Sequence, residues 1–464
     1  MPPAFNPDTH QDTIVALATP AGTGAIAVIR LSGPEAIRIV NKTFKGKNLE
    51  EQPGHTLHFG EIRDGEDLID EVLVSLFIAP RSYTKENAAE VSCHASPYII
   101  DRLIRLFIRY GARAAKPGEF TQRAFLNGQM DLSQAEAVAD LIASGSSASH
   151  RIALQQMRGG VSGKLRQLRE QLIQFASLIE LELDFSEEDV EFANRDQLKG
   201  LVLRIRTELT RMISSFELGN AIKSGLPVVI SGKPNAGKST LLNALLNEER
   251  AIVSEIPGTT RDIIEDELVI GGIRFRFIDT AGIRETTDKI EAIGVERAYG
   301  KIRQSAIVLY LFDPREIGPG QLQEILDEIR SHMAKPENLL AVANKIDLLE
   351  AESIRADYPA EGLLLISARE QQNLDQLTSA LLEKAQAGRL GSDETIISNI
   401  RHIEALSRTD EALANTLAML EQPVSGELLA FEIKQALHYL GEITGSITNE
   451  DLLDSIFSKF CIGK

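Results

Sequence analysis

Gly232-Lys233-Pro234-Asn235-Ala236-Gly237-Lys238-Ser239-Thr240 is the stretch whose reading decides the fold. Its spacing is G-x-x-x-x-G-K-[ST], that of a phosphate-binding loop. Glycines let such a loop wrap a phosphate chain without Cβ clashes. Successive backbone N–H groups then form an anion-binding nest, backed by the N-terminus of the next helix. Lys238 has the reach for terminal phosphates, and the Ser239 hydroxyl suits Mg²⁺. The apolar run Leu226–Ile230 reads as a buried strand and Leu241–Leu246 as a helix, the context that sets this match apart from chance.

Working outward, three more motifs each follow an expected strand. Asp279-Thr280-Ala281-Gly282 follows Ile273–Ile278; the Asp suits the Mg²⁺ water shell, and Gly282 lets its N–H approach a γ-phosphate. Asn344-Lys345-Ile346-Asp347 follows Leu339–Ala343. The Asp347 carboxylate can accept from guanine N1–H and the 2-amino group, a donor pair that adenine lacks, so GTP is expected over ATP. Ser367-Ala368-Arg369 follows Leu363–Ile366 and offers a backbone N–H to guanine O6. Each tetrapeptide alone could be a solvated turn. Four in this order, at strand C-termini, are where an open α/β sheet holds its ligand.

The chain has 464 residues, 43% hydrophobic and 25% charged, which implies two to four globular domains. No apolar run is long enough to span a bilayer. The N-terminal residues lack a basic-then-apolar secretory pattern. Only Cys93 and Cys461 occur, too few for a disulfide framework. A cytoplasmic protein is expected. Net charge is −18, which argues against a broad basic face for nucleic acid. Residues 1–127 carry 14 Lys and Arg against 15 Asp and Glu, so the excess acid lies beyond them. RNA contact is then expected at a local patch, in the N-terminal part or through a partner.

Three textures divide the chain. Residues 1–127 mix β-branched runs such as Ala25–Leu31 and Val72–Ile78 with Gly/Pro turns, an α+β pattern. Residues 128–224 turn to amphipathic stretches, with Leu165, Leu168, Leu172, Phe175 and Ile179 at helical spacing. Residues 225–387 alternate strands and helices around the nucleotide motifs, and 388–464 return to helices. The nucleotide domain therefore reads as an insertion between two halves of a helical domain.

Ile283 follows the D-T-A-G motif, where many small GTPases have the Gln that positions attacking water. Something else must orient that water. Asn235 stands inside the phosphate loop, where its side-chain carbonyl has the reach for a cation; a turn-stabilising hydrogen bond is the equal alternative. Ser254-Glu255-Ile256-Pro257-Gly258-Thr259-Thr260-Arg261-Asp262 reads as a mobile switch, with a Thr260 hydroxyl for Mg²⁺ and carbonyls of Ser254, Ile256 and Thr259 for a monovalent ion.

Over nearly its full length the chain resembles the tRNA uridine-5-carboxymethylaminomethyl modification GTPases, the MnmE/TrmE family. The carrying elements are Asp12–Ala16, Pro117–Phe120 with Arg123–Asn127, Asp131–Ala137, Asn235–Ser239, Gly258–Asp262, Asp279–Gly282 and the terminal Cys461-Ile462-Gly463-Lys464. The resemblance implies a multidomain α/β fold: an α+β N-terminal tetrahydrofolate-binding and dimerisation domain, a discontinuous helical domain, and an inserted Ras-like P-loop GTPase domain. It implies a homodimer that joins an FAD-dependent partner, MnmG/GidA, in a heterotetramer acting on tRNA. That assembly would add an aminomethyl or carboxymethylaminomethyl group to C5 of the wobble uridine, using 5-formyl-tetrahydrofolate or a related one-carbon folate. It implies K⁺ ligands at Asn235, Ser254, Ile256 and Thr259, and Mg²⁺ ligands at Ser239 and Thr260. Glu291 matches the acid that orients water, and Arg30, Glu90, Gln129 and Lys464 match the folate positions. Relatives often carry Lys where Gln129 stands, so a charge contact becomes a hydrogen bond. Cys461 is the candidate functional thiol. The competing readings are a ribosome-assembly GTPase and a nucleotide-gated scaffold that has lost its folate.

Overall fold

The computed structural model describes residues 12–184, 195–248, 265–279, 299–349, 354, 357–358, 362–385, 395–421 and 426–463. The chain forms two compact units. One holds residues 1–142, 155–207 and 404–464; the other holds 143–154 and 208–403.

The first unit is built on a seven-stranded sheet of β1 (Thr13–Leu17), β2 (Ile26–Ser32), β3 (Phe44–Lys45), β4 (Thr56–Asp64), β5 (Asp67–Phe77), β6 (Ala88–His94) and β7 (Ala112–Ala114). Their order is β3-β4-β5-β6-β2-β1-β7. Pairing is antiparallel except between β1 and β7. In β5, Val72, Val74 and Leu76 point inward while Glu71 and Leu73 point out, the period of two that a one-sided sheet demands. Helices α1 (Ala36–Thr43) and α2 (Pro97–Arg109) cover the apolar face, Ile39, Val40, Leu103, Leu106 and Phe107 joining Ile29, Val74 and Val91 in one core.

The same unit carries α3 (Glu119–Leu126), α4 (Leu132–Ile142), α6 (Gly160–Asp184) and the helices Gly426–Thr444 and Glu450–Phe457. In the stripe on α6, Leu165, Leu168, Leu172 and Ile179 are buried as their spacing predicts, while Phe175 is half-buried. Each such leucine or isoleucine contributes about 1.5–3 kcal/mol of burial. Helix α6 packs along Gly426–Thr444, and a Cβ at Gly426 would meet Leu183 at 3.2 Å.

The second unit centres on a six-stranded sheet of β8 (Leu226–Ser231), β9 (Glu265–Ile270), β10 (Ile273–Asp279), β11 (Ile307–Phe312), β12 (Leu339–Ala343) and β13 (Leu364–Leu365). Its order is β13-β12-β11-β8-β10-β9, parallel but for β9. Both faces are covered, as a parallel sheet requires. Ile307, Leu309 and Leu311 enter one core, and Val308, Tyr310 and Phe312 the other. β8 lies between β10 and β11, so the chain's winding reverses at β8, the switch point where open α/β sheets bind ligands. Ala148 and Ile152 of α5 (Ser147–Met157) and Ile222 of α8 (Phe216–Ser224), which follows α7 (Arg195–Ser214), also bury in this unit's core. Compact packing thus groups residues 143–154 and 208–224 with the nucleotide sheet, although their sequence texture is helical.

Candidate functional site

The phosphate loop leaves the C-terminal end of β8 and enters α9 (Lys238–Glu248). Gly232 has φ 151°, and a Cβ there would lie 2.1 Å from the Leu311 carbonyl of β11. Only glycine lets the loop pass so close to the neighbouring strand. Asn235 adopts the left-handed region, φ 63°, which Asn tolerates better than most residues, and its side chain is exposed. Gly237, φ 99°, passes the Asn344 side chain, whose Nδ2 would be 2.3 Å from an added Cβ. Lys238 curls over the loop, its Nζ donating to the Gly232 and Lys233 carbonyls at 2.7 and 3.0 Å. Ala236 is buried, while Ser239 and Thr240 are exposed on the first turn of α9. The loop thus gathers an ammonium, a helix N-terminus and two hydroxyls at one strand end, the equipment for a polyphosphate.

The base side lies after β12 and β13. Asn344 is only 3% exposed. Its Nδ2 donates to the Ala236 carbonyl at 2.8 Å, and its Oδ1 accepts from the Ala368 amide at 2.9 Å. This side chain therefore ties the phosphate loop to the base loops. The Ala368 N–H is engaged there, and a guanine O6 would share it. Asp347 is exposed, and its Oδ1 accepts from the buried Ser367 hydroxyl at 2.6 Å. That bond fixes one carboxylate oxygen and aims the group. Arg369 is exposed beside it.

Lys345, left-handed at φ 66°, sets its Nζ 3.0 Å from Oδ2 of the buried Asp313. Asp313 also receives Arg315 through Nε at 3.0 Å and Nη2 at 2.7 Å. The Arg315 hydrogen bonds, backed by Lys345, hold the Asp313 carboxyl far below the usual carboxylate range, against the opposing effect of burial. Sequence reasoning passed over Asp313 and Arg315. The available signal was an Asp directly after the fully buried strand Ile307–Phe312, at the sheet edge that bears the other motifs.

Asp279 ends β10, opposite Ile230 in parallel register, so its backbone stands beside the root of the phosphate loop. Thr280, Ala281, Gly282, the switch Ser254–Thr260, Glu291 and Lys464 lie outside the described residues.

A second cluster lies in the first unit. Arg30 and Glu90 are cross-strand partners on β2 and β6, and their side chains pair at 2.8 Å. The Arg30 guanidinium lies 5.7 Å from the ring centroids of both Tyr83 and Phe120. Its Nη1 also reaches the Gly463 carbonyl at 3.5 Å. Gly463 is buried at φ 94°, and a Cβ would stand 2.1 Å from the Leu17 carbonyl, so the C-terminal tail lies against the end of β1. The Cys461 thiol is exposed; Cys93 is buried in β6, and burial pushes its thiol up to about 11. Gln129 lines a groove of about 440 Å³ rather than touching the Arg30–Glu90 pair.

Known proteins resemble this chain along nearly its full length. A family model described as the GTP-binding protein TrmE N-terminus matches residues 13–129, and one described as the MnmE helical domain matches residues 132–461. A protein of Cytophaga hutchinsonii named tRNA modification GTPase MnmE is 56% identical, with 98% of each chain covered. One of the same name from Christiangramia forsetii is 55% identical, over 98% of this chain and 99% of its own. A solved structure of Era with MgGDPNP and 16S ribosomal RNA nucleotides is 29% identical, covering 40% of this chain and 66% of that one, at a TM-score of 0.27.

Proposed function

The chain belongs to the tRNA modification GTPase MnmE family and is a GTP hydrolase acting in tRNA modification; we propose that its turnover depends on K⁺ and serves folate-linked modification of the wobble uridine. The observation that carries the K⁺ reading is Asn235, held left-handed and exposed on the phosphate loop. Its carbonyl there is free to meet a monovalent ion beside the phosphates, with Ser254, Ile256 and Thr259 supplying the remaining oxygens. K⁺ supplies the positive charge that an arginine finger supplies elsewhere, an effect worth about 10³–10⁵ in rate.

The remaining roles follow the nucleotide's own chemistry. Ser239 and Thr260 would hold Mg²⁺, which would supply positive charge to the phosphates. Lys238 exchanges its two loop carbonyls for phosphate oxygens, which is favourable because a charge-assisted bond replaces neutral ones. Asp347 reads guanine. Glu291 orients the attacking water in place of the Gln that Ile283 replaces.

In the first unit, Arg30 and Glu90 neutralise each other until a ligand enters. A folate offers pterin donors to Glu90 and, at its other end, carboxylates as partners for Arg30, so engaging both must part the pair. Lys464 directly follows Gly463, whose carbonyl Arg30 reaches, while Gln129, on the separate groove, is the one folate position that this pair does not gather. Cys461 presents an accessible thiol nearby along the tail. The outward face of the N-terminal sheet carries Leu57, Phe59 and Leu73, with Phe59 opposite Leu73 and 68% exposed. That strip suits a homodimer contact. An FAD-dependent partner and tRNA complete the reaction in the cytoplasm.

The test is GTP hydrolysis in K⁺ against Na⁺. Wild-type protein is expected to be strongly activated by K⁺ alone, and Asn235→Ala to lose that response. Equal rates in the two salts, or a variant that still responds, refute the cation role.

A further inference from the structure

The groove that Gln129 borders has contents that neither the GTPase site nor the folate pair uses. It runs along α6 and the C-terminal end of helix Gly426–Thr444, with a volume of about 440 Å³. That lies within the usual range of about 300–1,000 Å³ for small-ligand sites. Phe125, Met130, Leu165 and Leu440 give it an apolar floor. Arg166 and Arg169, one turn apart on α6, line it together with the carboxylates Asp131 and Glu170.

These charged groups are not answered by the protein. Among the described residues Arg166 and Arg169 make no ion pair. The Nε of Arg169 and Oδ2 of Asp131 are shielded from solvent yet lack a hydrogen-bond partner. Asp131 spends its other oxygen, Oδ1, on the Ser133 hydroxyl and the Gln134 amide, both at 3.0 Å. A shielded polar atom without a partner costs about 1–3 kcal/mol, so such atoms call for an explanation. Two unpaired guanidiniums beside an unpaired carboxylate suit a ligand that brings an anion at one end and a donor at the other.

The charge pattern points the same way. From Gln155 to Glu170 the sequence holds Arg158, Lys164, Arg166 and Arg169 against the single carboxylate Glu170, in a chain of net charge −18. Local concentration of cations against so acidic a background is what a compact polyanion site needs.

We propose that this groove binds one unpaired nucleotide of the tRNA substrate. The base lies on the apolar floor, its phosphate meets Arg166 and Arg169, and Asp131 accepts from a base amino group or ribose hydroxyl. Unstacked bases of loops are the usual targets of RNA-specific recognition, because their faces and edges are open. The proposal rests on the chain's role in tRNA modification and adds where the RNA is held.

The test uses the full-length protein and a fluorescent RNA hairpin with an unpaired, uridine-bearing loop, against a blunt RNA duplex of equal length. Anisotropy titrations at several salt concentrations compare wild type, the double variant Arg166→Gln/Arg169→Gln, and Asp131→Asn. The double variant is expected to raise the hairpin Kd about tenfold or more, as loss of charge-assisted contacts does. It should also flatten the plot of log affinity against log salt by about 0.7, the value for one neutralised phosphate of a single strand. Duplex binding should change much less. Asp131→Asn is the sharper arm. If charge alone mattered, removing a carboxylate would tighten RNA binding; as an acceptor of a nucleotide donor, its loss must weaken hairpin binding without altering the salt slope. Basal GTP hydrolysis should be unchanged in both variants, which also reports folding. Should a variant fail to fold, cross-linking of a 4-thiouridine-labelled loop to wild-type protein is expected to map to peptides around Phe125–Gln134 or Leu165–Glu170.

Four results overturn the proposal: wild-type affinity in the double variant, equal weakening of hairpin and duplex, tighter binding by Asp131→Asn, or adducts only elsewhere. If the double variant instead loses 5-formyl-tetrahydrofolate or a protein partner while keeping RNA, the groove belongs to that ligand. Failure of the wild type itself to bind either RNA would count against direct RNA contact by this chain; variants that match a binding wild type count against the groove alone.

Discussion

Replacing Asn344 by alanine tests whether the phosphate loop and the base loops work as one clamp. The side chain satisfies two backbone groups, the Ala236 carbonyl at 2.8 Å and the Ala368 amide at 2.9 Å, while being 3% exposed. Alanine leaves both without a partner. At about 1–3 kcal/mol for each orphaned buried group, the total is about 2–6 kcal/mol. Part of that loss falls on the fold and part on GTP, because binding must then order two loops that Asn344 had already joined. If about 1.5–3 kcal/mol falls on binding, Kd rises about tenfold to 150-fold. The remainder lowers the midpoint of the nucleotide unit's thermal transition, at about 2–4 °C per kcal/mol for a domain of this size. Asn344→Asp separates the two bonds. It keeps the acceptor for Ala368 but turns a carboxylate oxygen toward the Ala236 carbonyl, so it should harm the phosphate loop more than the base loop. The assay is stopped-flow binding of a fluorescent GTP analogue with parallel calorimetry. A Kd within about twofold of wild type, together with an unshifted midpoint, would show that the two loops hold their places independently and refute the clamp.

Gly232→Ala should abolish GTP binding, since its Cβ would stand 2.1 Å from the Leu311 carbonyl, whereas Gly65→Ala, also at positive φ but with nothing within 4 Å, should cost only about 1–2 kcal/mol of stability and leave nucleotide affinity intact; titration calorimetry and thermal melts distinguish them. Asp313 is held ionised by Arg315 and Lys345 with its carboxyl depressed, so its stabilising contribution is complete above the unfolded value of about 4 and is lost as pH falls through the lower folded value. Asp313→Asn should therefore lower stability at neutral pH and flatten the acid limb of a pH–stability profile; an unchanged acid limb refutes the assignment. Asp347→Asn should weaken GTP at least about tenfold and favour xanthine nucleotide, checked by competition binding, since an amide replaces the carboxylate that guanine's two donors require.

What could be read from the sequence, and what could not, divides along a physical line. The phosphate loop was legible because a phosphate chain demands glycines, a lysine and a hydroxyl within a few residues, and the flanking runs Leu226–Ile230 and Leu339–Ala343 match β8 and β12 closely. The α6 stripe was legible because burial on one helix face imposes a short period. The strand expected over Leu363–Ile366 shrinks to Leu364–Leu365, because Ser367 leaves the sheet to bridge Gln372 and bond Asp347.

The residues that escaped are those whose partners are distant. Asn344 reads as one member of a base-binding motif, yet its side chain is spent on Ala236, 108 positions away. Arg30 and Glu90 are linked in the sequence only by the family resemblance, and it is the β2–β6 register that sets them side by side. Arg123 is fully buried, and reads as a surface arginine until Asp12, Glu86 and Glu119 are found around it. A group that touches the ligand answers to chemistry repeated in every such site, so it leaves a local pattern. A group that braces another answers only to the geometry of one fold, and any polar residue of suitable reach can fill it. The groove beside Arg166 and Arg169 left no local pattern for a different reason. Its four apolar floor residues come from three separate stretches of chain, and only folding brings them beneath the cations.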